Sequence, residues 1–145
     1  DDICTAIRIA KEFGVKLTLE HVTEGALIVD ELVKANDGLL IQAHPFRNGA
    51  TVLDTALLDG VEINCHPLYG NSYSKELLEI AREKGLMVTC GGDYHADTYH
   101  PKCGMYLPDE IRDHNDLRDY LRSSEGKKLC VQEPNTDGCS VIEIR

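Results

Sequence analysis

The stretch "GGDYHAD" sets Asp93 and His95 two residues apart, directly after the apolar run "GLMVTC". Residues two apart on an extended segment share a face, so the carboxylate and the imidazole point the same way. Gly91 and Gly92 just before them leave room for the backbone to turn close to an ion. Imidazole and carboxylate together suit Zn, Mn or Fe rather than Mg or Ca alone. An ion held this way lowers the pKa of a bound water and supplies hydroxide near neutral pH. The pair has company along the chain. His21 ends "KLTLEH", His44 ends "LLIQAH", and Asn64 and His66 close "VEINCH". A single histidine in such a place is most often structural. Four apolar runs that each finish in a ligating or hydrogen-bonding side chain favour a site.

That reading requires the runs to be neighbouring strands of one parallel sheet, and the alternation of patterns supplies them. "DDICTAIRIAKEFG" carries Ile3, Ala6, Ile7 and Ala10 at helical spacing, with Gly14 as a stop. "VKLTLEH" reads as a strand and "TEGALIVDELVKAN" as a helix capped by Thr23. "GLLIQAH" reads as a strand buried on both faces, followed by a weak helix over residues 50 to 58 and the short strand "GVEINC". "SYSKELLEIAREKG" is the clearest helix, capped by Ser74 and ended by Gly85, with acidic residues early and basic ones late. "LMVTC" is a further buried strand. A loop of roughly twenty residues follows, then a short helix near "NDLRDYLRSS" and a C-terminal hairpin around "EPNTDG". Strands alternating with helices mean an α/β architecture with ligands beyond the carboxyl ends of the strands. The 145 residues read as one α/β domain, with no linker, repeat or low-complexity segment.

Composition narrows the function. An apolar content of 42% and a charged content of 28% are those of an ordinary globular protein. No apolar run approaches the roughly 20 residues of a membrane helix, and the N-terminus lacks the basic start of a secretion signal. A formal net charge of −10 argues against a nucleic-acid partner. It leaves a small phosphorylated partner open, because a local cation reverses the field within one pocket. The six cysteines show no CxxC pair; Cys65 and Cys90 read as reduced, buried thiols of a cytoplasmic protein. Cys130 and Cys139 are the one pair placed to bridge the hairpin. His100 and Cys103 lie three apart in "DTYHPKCG" with nothing nearby to complete a tetrahedral set, so they and His114 read as incidental loop groups. Tyr94 and Tyr99 line the pocket or cover the sheet end.

Three motifs in order, "LLIQAHPFRNG", "LLDGVEINCHP" and "IAREKGLMVTCGGDYHAD", make residues 38 to about 122 resemble the C-terminal part of PHP-domain proteins, the polymerase and histidinol phosphatase superfamily. The resemblance implies part of a TIM-like (βα)7/8 barrel and hydrolysis of a small phosphomonoester with divalent metal, Zn, Mn or Fe. Carried over by position, it implies metal ligation by His44, Asp93 and His95, with His21 a further possibility, and substrate or phosphate contacts from Arg47, Asn64 and His66. Glu62 precedes its strand end and is expected to orient neighbours rather than to ligate.

The family's N-terminal H-x-H motif is absent, as are the His and Glu ligands that precede the His-Pro strand. Residues 1 to 36 instead loosely resemble a helix–strand–helix unit of imidazolonepropionase-type amidohydrolases, which implies a fragment or an engineered chimera joined near Asn36–Gly38. The expectation is therefore a phosphoesterase-type site, incomplete in this chain; the alternative is a non-catalytic barrel fragment that binds at most one ion. An amidohydrolase-like C–N hydrolase is a weaker third reading. Four parallel strands are half of a closed barrel, so a homodimer is expected, against an open three-layer α/β sheet that stays monomeric.

Overall fold

The computed structural model describes residues 2–15, 28, 38–53, 56, 58–66, 75–98, 100–133 and 138–144. The expected strand "VKLTLEH" with His21, the helix over residues 23–36, the Ser74 cap and Tyr99 lie outside the described residues. The chain divides into two compact units, Asp1–Gly38 and Leu39–Arg145. In the first, α1 (Asp2–Phe13) buries Ile7 and Ala10 and exposes Ile9 and Phe13. It ends at Gly14, whose φ of 62° suits a residue without a Cβ. The Val15 amide then donates back to the Ala10 carbonyl at 3.0 Å, which satisfies an otherwise orphaned acceptor of the last turn.

The second unit is built on a parallel three-stranded sheet. β1 (Ile41–Gln42), β2 (Gly60–Asn64) and β3 (Met87–Gly91) lie in the order β1-β2-β3. Ile41 pairs with Gly60, Gly60 with Met87, and Asn64 with Gly91. Because all three run the same way, their carboxyl ends share one rim, as the strand-end residues require. α2 (Lys75–Lys84) connects β2 to β3 and buries Leu77 and Ala81. It closes like α1: Gly85 has φ 67°, and the Leu86 amide reaches the Ala81 carbonyl at 2.7 Å.

A second, antiparallel sheet follows: β4 (Gly104–Tyr106), β5 (Lys127–Gln132) and β6 (Cys139–Ile144), in that order. β5 and β6 are the expected hairpin. α3 (His114–Arg122) joins β4 to β5, and its cap is Asp113, which accepts from the amides of Asn115 at 2.8 Å and Asp116 at 3.0 Å. One core serves both sheets, with Val61, Ile63, Cys65, Val88 and Cys90 from the first packed with Leu129 and Val131 from the second.

Several expectations change. β1 is two residues long and half-buried, not a strand covered on both faces. "LMVTC" alternates, burying Val88 and Cys90 and leaving Met87 and Thr89 half-buried. The described residues between 50 and 58 form no helix. Within the expected long loop, Gly104–Tyr106 is a strand, too short to show a period but held by pairing with β5. The architecture is mixed α/β, and no closed barrel is formed among the described residues. No helix of the described residues is long and apolar enough to cross a membrane.

Candidate functional site at the parallel rim

The rim is organised by one buried amide. Asn64, the last residue of β2, is 1% exposed. Its Oδ1 accepts from Arg47 Nη2 at 2.6 Å and from the His66 amide at 3.1 Å, and its Nδ2 donates to Glu62 Oε2 at 3.1 Å. The same Glu62 oxygen accepts the His44 amide at 3.1 Å. Glu62 thus ties the end of β1 to the end of β2, the orienting role expected of it. Arg47 spans the gap to β3: its Nη1 donates to Asp93 Oδ2 at 2.6 Å. His95 Nδ1 lies 2.8 Å from the Asp93 carbonyl oxygen and 3.4 Å from Asp93 Oδ1. The rings of His95 and His66 meet edge to face with centroids 6.3 Å apart. The rim residues named from the sequence that lie among the described residues, namely His44, Arg47, Asn64, His66, Asp93 and His95, all join this network.

Its electrostatics favour an ionised Asp93. Burial alone would raise the carboxyl, but the Arg47 hydrogen bond and charge, helped by His95 and His44, hold its pKa below the ordinary range. The backbone is unusual here as well. His44 (φ 35°), Phe46 (φ 72°), Asn48 (φ 53°) and Asp93 (φ 50°) all adopt the left-handed region. Such conformations cost about 1–3 kcal/mol each and persist only where neighbours over-determine them. The buried Pro45 and the Glu62 bond to the His44 amide do so on the first of these turns.

The room at Gly91 and Gly92 is used differently from the expectation. A Cβ at Gly91 would stand 2.5 Å from Glu62 Oε1, so the missing side chain makes space for that carboxylate. A Cβ at Gly92 would stand 2.3 Å from Pro101 Cγ and 3.3 Å from Cys103 Sγ. Tyr94 is exposed and donates to Asp97.

Cys103 belongs to the feature that sequence reasoning missed. Among the described residues, the group of three metal-capable side chains whose ligand atoms lie within 4.8 Å of one another is Cys65, Cys90 and Cys103, and this group could hold a metal ion. Cys65 and Cys90 are buried, with sulfurs 3.9 Å apart. Hydrogen bonds from Cys103 and Cys90, with the Gln132 backbone, pull the Cys65 thiol far below the ordinary range despite burial. The contact with Cys103 pushes Cys90 up, and the contact with Cys65 pushes Cys103 up. No sequence signal marks the trio, because its members lie on separate segments that only the fold brings together. Cys130 and Cys139 are free thiols; a hydrogen bond with Cys139 pushes Cys130 up to about 11.

Among family models, curated proteins and solved structures, none matches this chain.

Proposed function

We propose that the parallel rim is a phosphoester site of the kind the PHP resemblance implies, holding one divalent ion and a small phosphomonoester. The observation that carries this reading is the pairing of Asp93 and His95 beside the Arg47 fork. His95 Nδ1 donates to the Asp93 carbonyl at 2.8 Å, which leaves Nε2 as the nitrogen that would take an ion beside the Asp93 carboxylate. The carboxylate is already ionised, so it needs no proton loss to ligate. His44, whose charge also lowers the Asp93 pKa, would be the third ligand the resemblance implies. An ion of the Zn, Mn or Fe class would supply Lewis acidity and an acidified water there.

The chain's own side chains do the rest. Arg47, gripped through both terminal nitrogens by Asp93 and Asn64, offers a fixed cation to a phosphate oxygen. Asn64 is too buried to meet substrate and works by positioning Arg47. His66, almost as buried as Asn64, acts edge-on through His95. The fuller expectation is half of a TIM-like barrel that a second copy of the chain completes.

A rival reading is a fragment that binds at most one ion and turns nothing over. It is favoured by the missing H-x-H motif and by His44, Asp93 and His95 not closing into a tight three-ligand group. Manganese, which avoids thiolates, separates the two. With manganese added to stripped protein, one ion per chain and hydrolysis of an aryl phosphomonoester are expected. Asp93→Ala should abolish binding, and Arg47→Ala should slow turnover by about 100-fold. Manganese content unchanged in Asp93→Ala would sink the site; binding without turnover would leave the rival.

A further inference from the structure

We infer that Cys65, Cys90 and Cys103 form a second metal site, a three-thiolate pocket for one soft divalent ion of the zinc and cadmium class, independent of the rim. Cys65 follows β2 and Cys90 lies in β3, and the register pairs Ile63 with Cys90. Cys65 donates its amide to the Gly91 carbonyl at 2.8 Å, so it continues that pairing. Residues 63, 65 and 90 therefore share one face of the parallel sheet, the face covered by Leu129 and Val131 of the other sheet. Gly92 follows in the same alternation; a Cβ there would meet Pro101 Cγ first, with Cys103 Sγ 3.3 Å away beside it.

The spacing is that of sulfurs on one ion. Zinc–sulfur bonds near 2.3 Å place tetrahedral ligands about 3.8 Å apart, and Cys65 and Cys90 stand at 3.9 Å. A disulfide would need those sulfurs near 2 Å, a substantial closure. Thiolate-rich sets select soft ions over manganese or magnesium, which separates this pocket chemically from the carboxylate–imidazole rim. Backbone groups support the sulfurs from outside: the Gln132 amide hydrogen-bonds Cys65, and Cys90 Sγ donates to the Cys130 carbonyl at 3.3 Å. On binding, a sulfur that still carries its proton releases it to solvent as it takes the ion, so the Cys90 donation to Cys130 is given up. Cys103 is half-buried, which opens the fourth position to water or an added ligand.

The test is cadmium titration of the reduced full chain, read by the ultraviolet thiolate-to-metal charge-transfer band and by native mass. One cadmium per chain is expected, with the band lost in Cys103→Ser and Cys90→Ser. Cys4→Ser, Cys139→Ser and Asp93→Ala should keep it, and the last separates this pocket from the rim. Cys90 is in the core, where a substitution also tests folding, so Gly92→Ala serves as a second probe. It keeps every thiol but presses chiefly on Pro101, two residues before Cys103, and more gently on the Cys103 sulfur, so it should weaken binding on the order of 10–100-fold. No band from the reduced wild type, or a band that survives in Cys103→Ser and disappears in Cys139→Ser, overturns the site. So does isolation of the chain with Cys65 and Cys90 joined as a disulfide that resists reduction.

Discussion

Arg47 carries the electrostatics of the rim, because one guanidinium answers two acceptors, one at the end of β2 and one just beyond β3. Its side chain is 15% exposed and that of Asp93 18%, so the bond is shielded from water far better than a surface pair. Arg47→Ala removes two charge-assisted hydrogen bonds and should cost about 1.5–3 kcal/mol in denaturant unfolding. Arg47→Lys keeps the charge but loses the planar fork, so it should recover only part of that loss. The pH dependence has a definite sign. Asp93 has a folded pKa below its ordinary value of 3.8. Its contribution is therefore complete above that value and disappears as pH falls through the lower folded pKa. Comparing wild type with Asp93→Asn, the stability gap should be constant near neutrality and close only below about pH 4. A gap that closes between pH 5 and 7 would point to a histidine instead. At this scale the sequence was informative for the rim, because a residue at a strand end is placed by its own strand. It read Cys103 as an incidental loop group, because its partners lie on other segments.

Between elements, two glycines divide packing from positioning. A Cβ on Gly60 would stand 2.4 Å from Met87 Cγ and 2.8 Å from the Met87 carbonyl oxygen. The side-chain contact can swing away, but the backbone contact lies in the β2–β3 ladder, so Gly60→Ala must spread the two strands. Overpacking of that kind costs about 1–3 kcal/mol. A Cβ on Gly91 meets only the far end of Glu62. Gly91→Ala should therefore change thermal stability little, yet push Glu62 off the His44 amide and off Asn64 and so disturb manganese binding at the rim. If Gly91→Ala loses stability as Gly60→Ala does while rim binding is untouched, Glu62 does not position the site. The cap of α3 gives an independent check, since Asp113→Ala should cost about 1 kcal/mol. Elements with strong internal signals, such as α1, α2, α3, β2 and the hairpin, were legible from period and caps. β1 was expected within "GLLIQAH" but only two of its residues pair, and β4 was not foreseen, because three residues carry no period and exist only through the partner strand.

For the whole molecule the open question is what meets the antiparallel sheet. Among the described strands β6 is an edge, with Ser140, Val141 and Glu143 exposed and Val141 57% accessible. Such an edge presents a row of backbone donors and acceptors and invites another strand. A second copy of the chain would be a symmetric partner for it, with β6 meeting β6 about a two-fold axis. Charge opposes the encounter, since each copy carries −10. Salt screens that repulsion within roughly 10 Å at 0.1 M, so association should strengthen with ionic strength rather than weaken. Sedimentation equilibrium is expected to give twice the 16.1 kDa chain mass, with the dimer fraction rising between low and moderate salt. Val141→Lys places a charge at the centre of the edge and should return the chain to monomer while rim manganese binding persists. A single 16.1 kDa species at every salt concentration would rule out the dimer and leave β6 as a solvated edge. A dimer that ignores Val141→Lys would move the contact elsewhere, as the half-barrel reading, which pairs parallel-sheet edges, would have it.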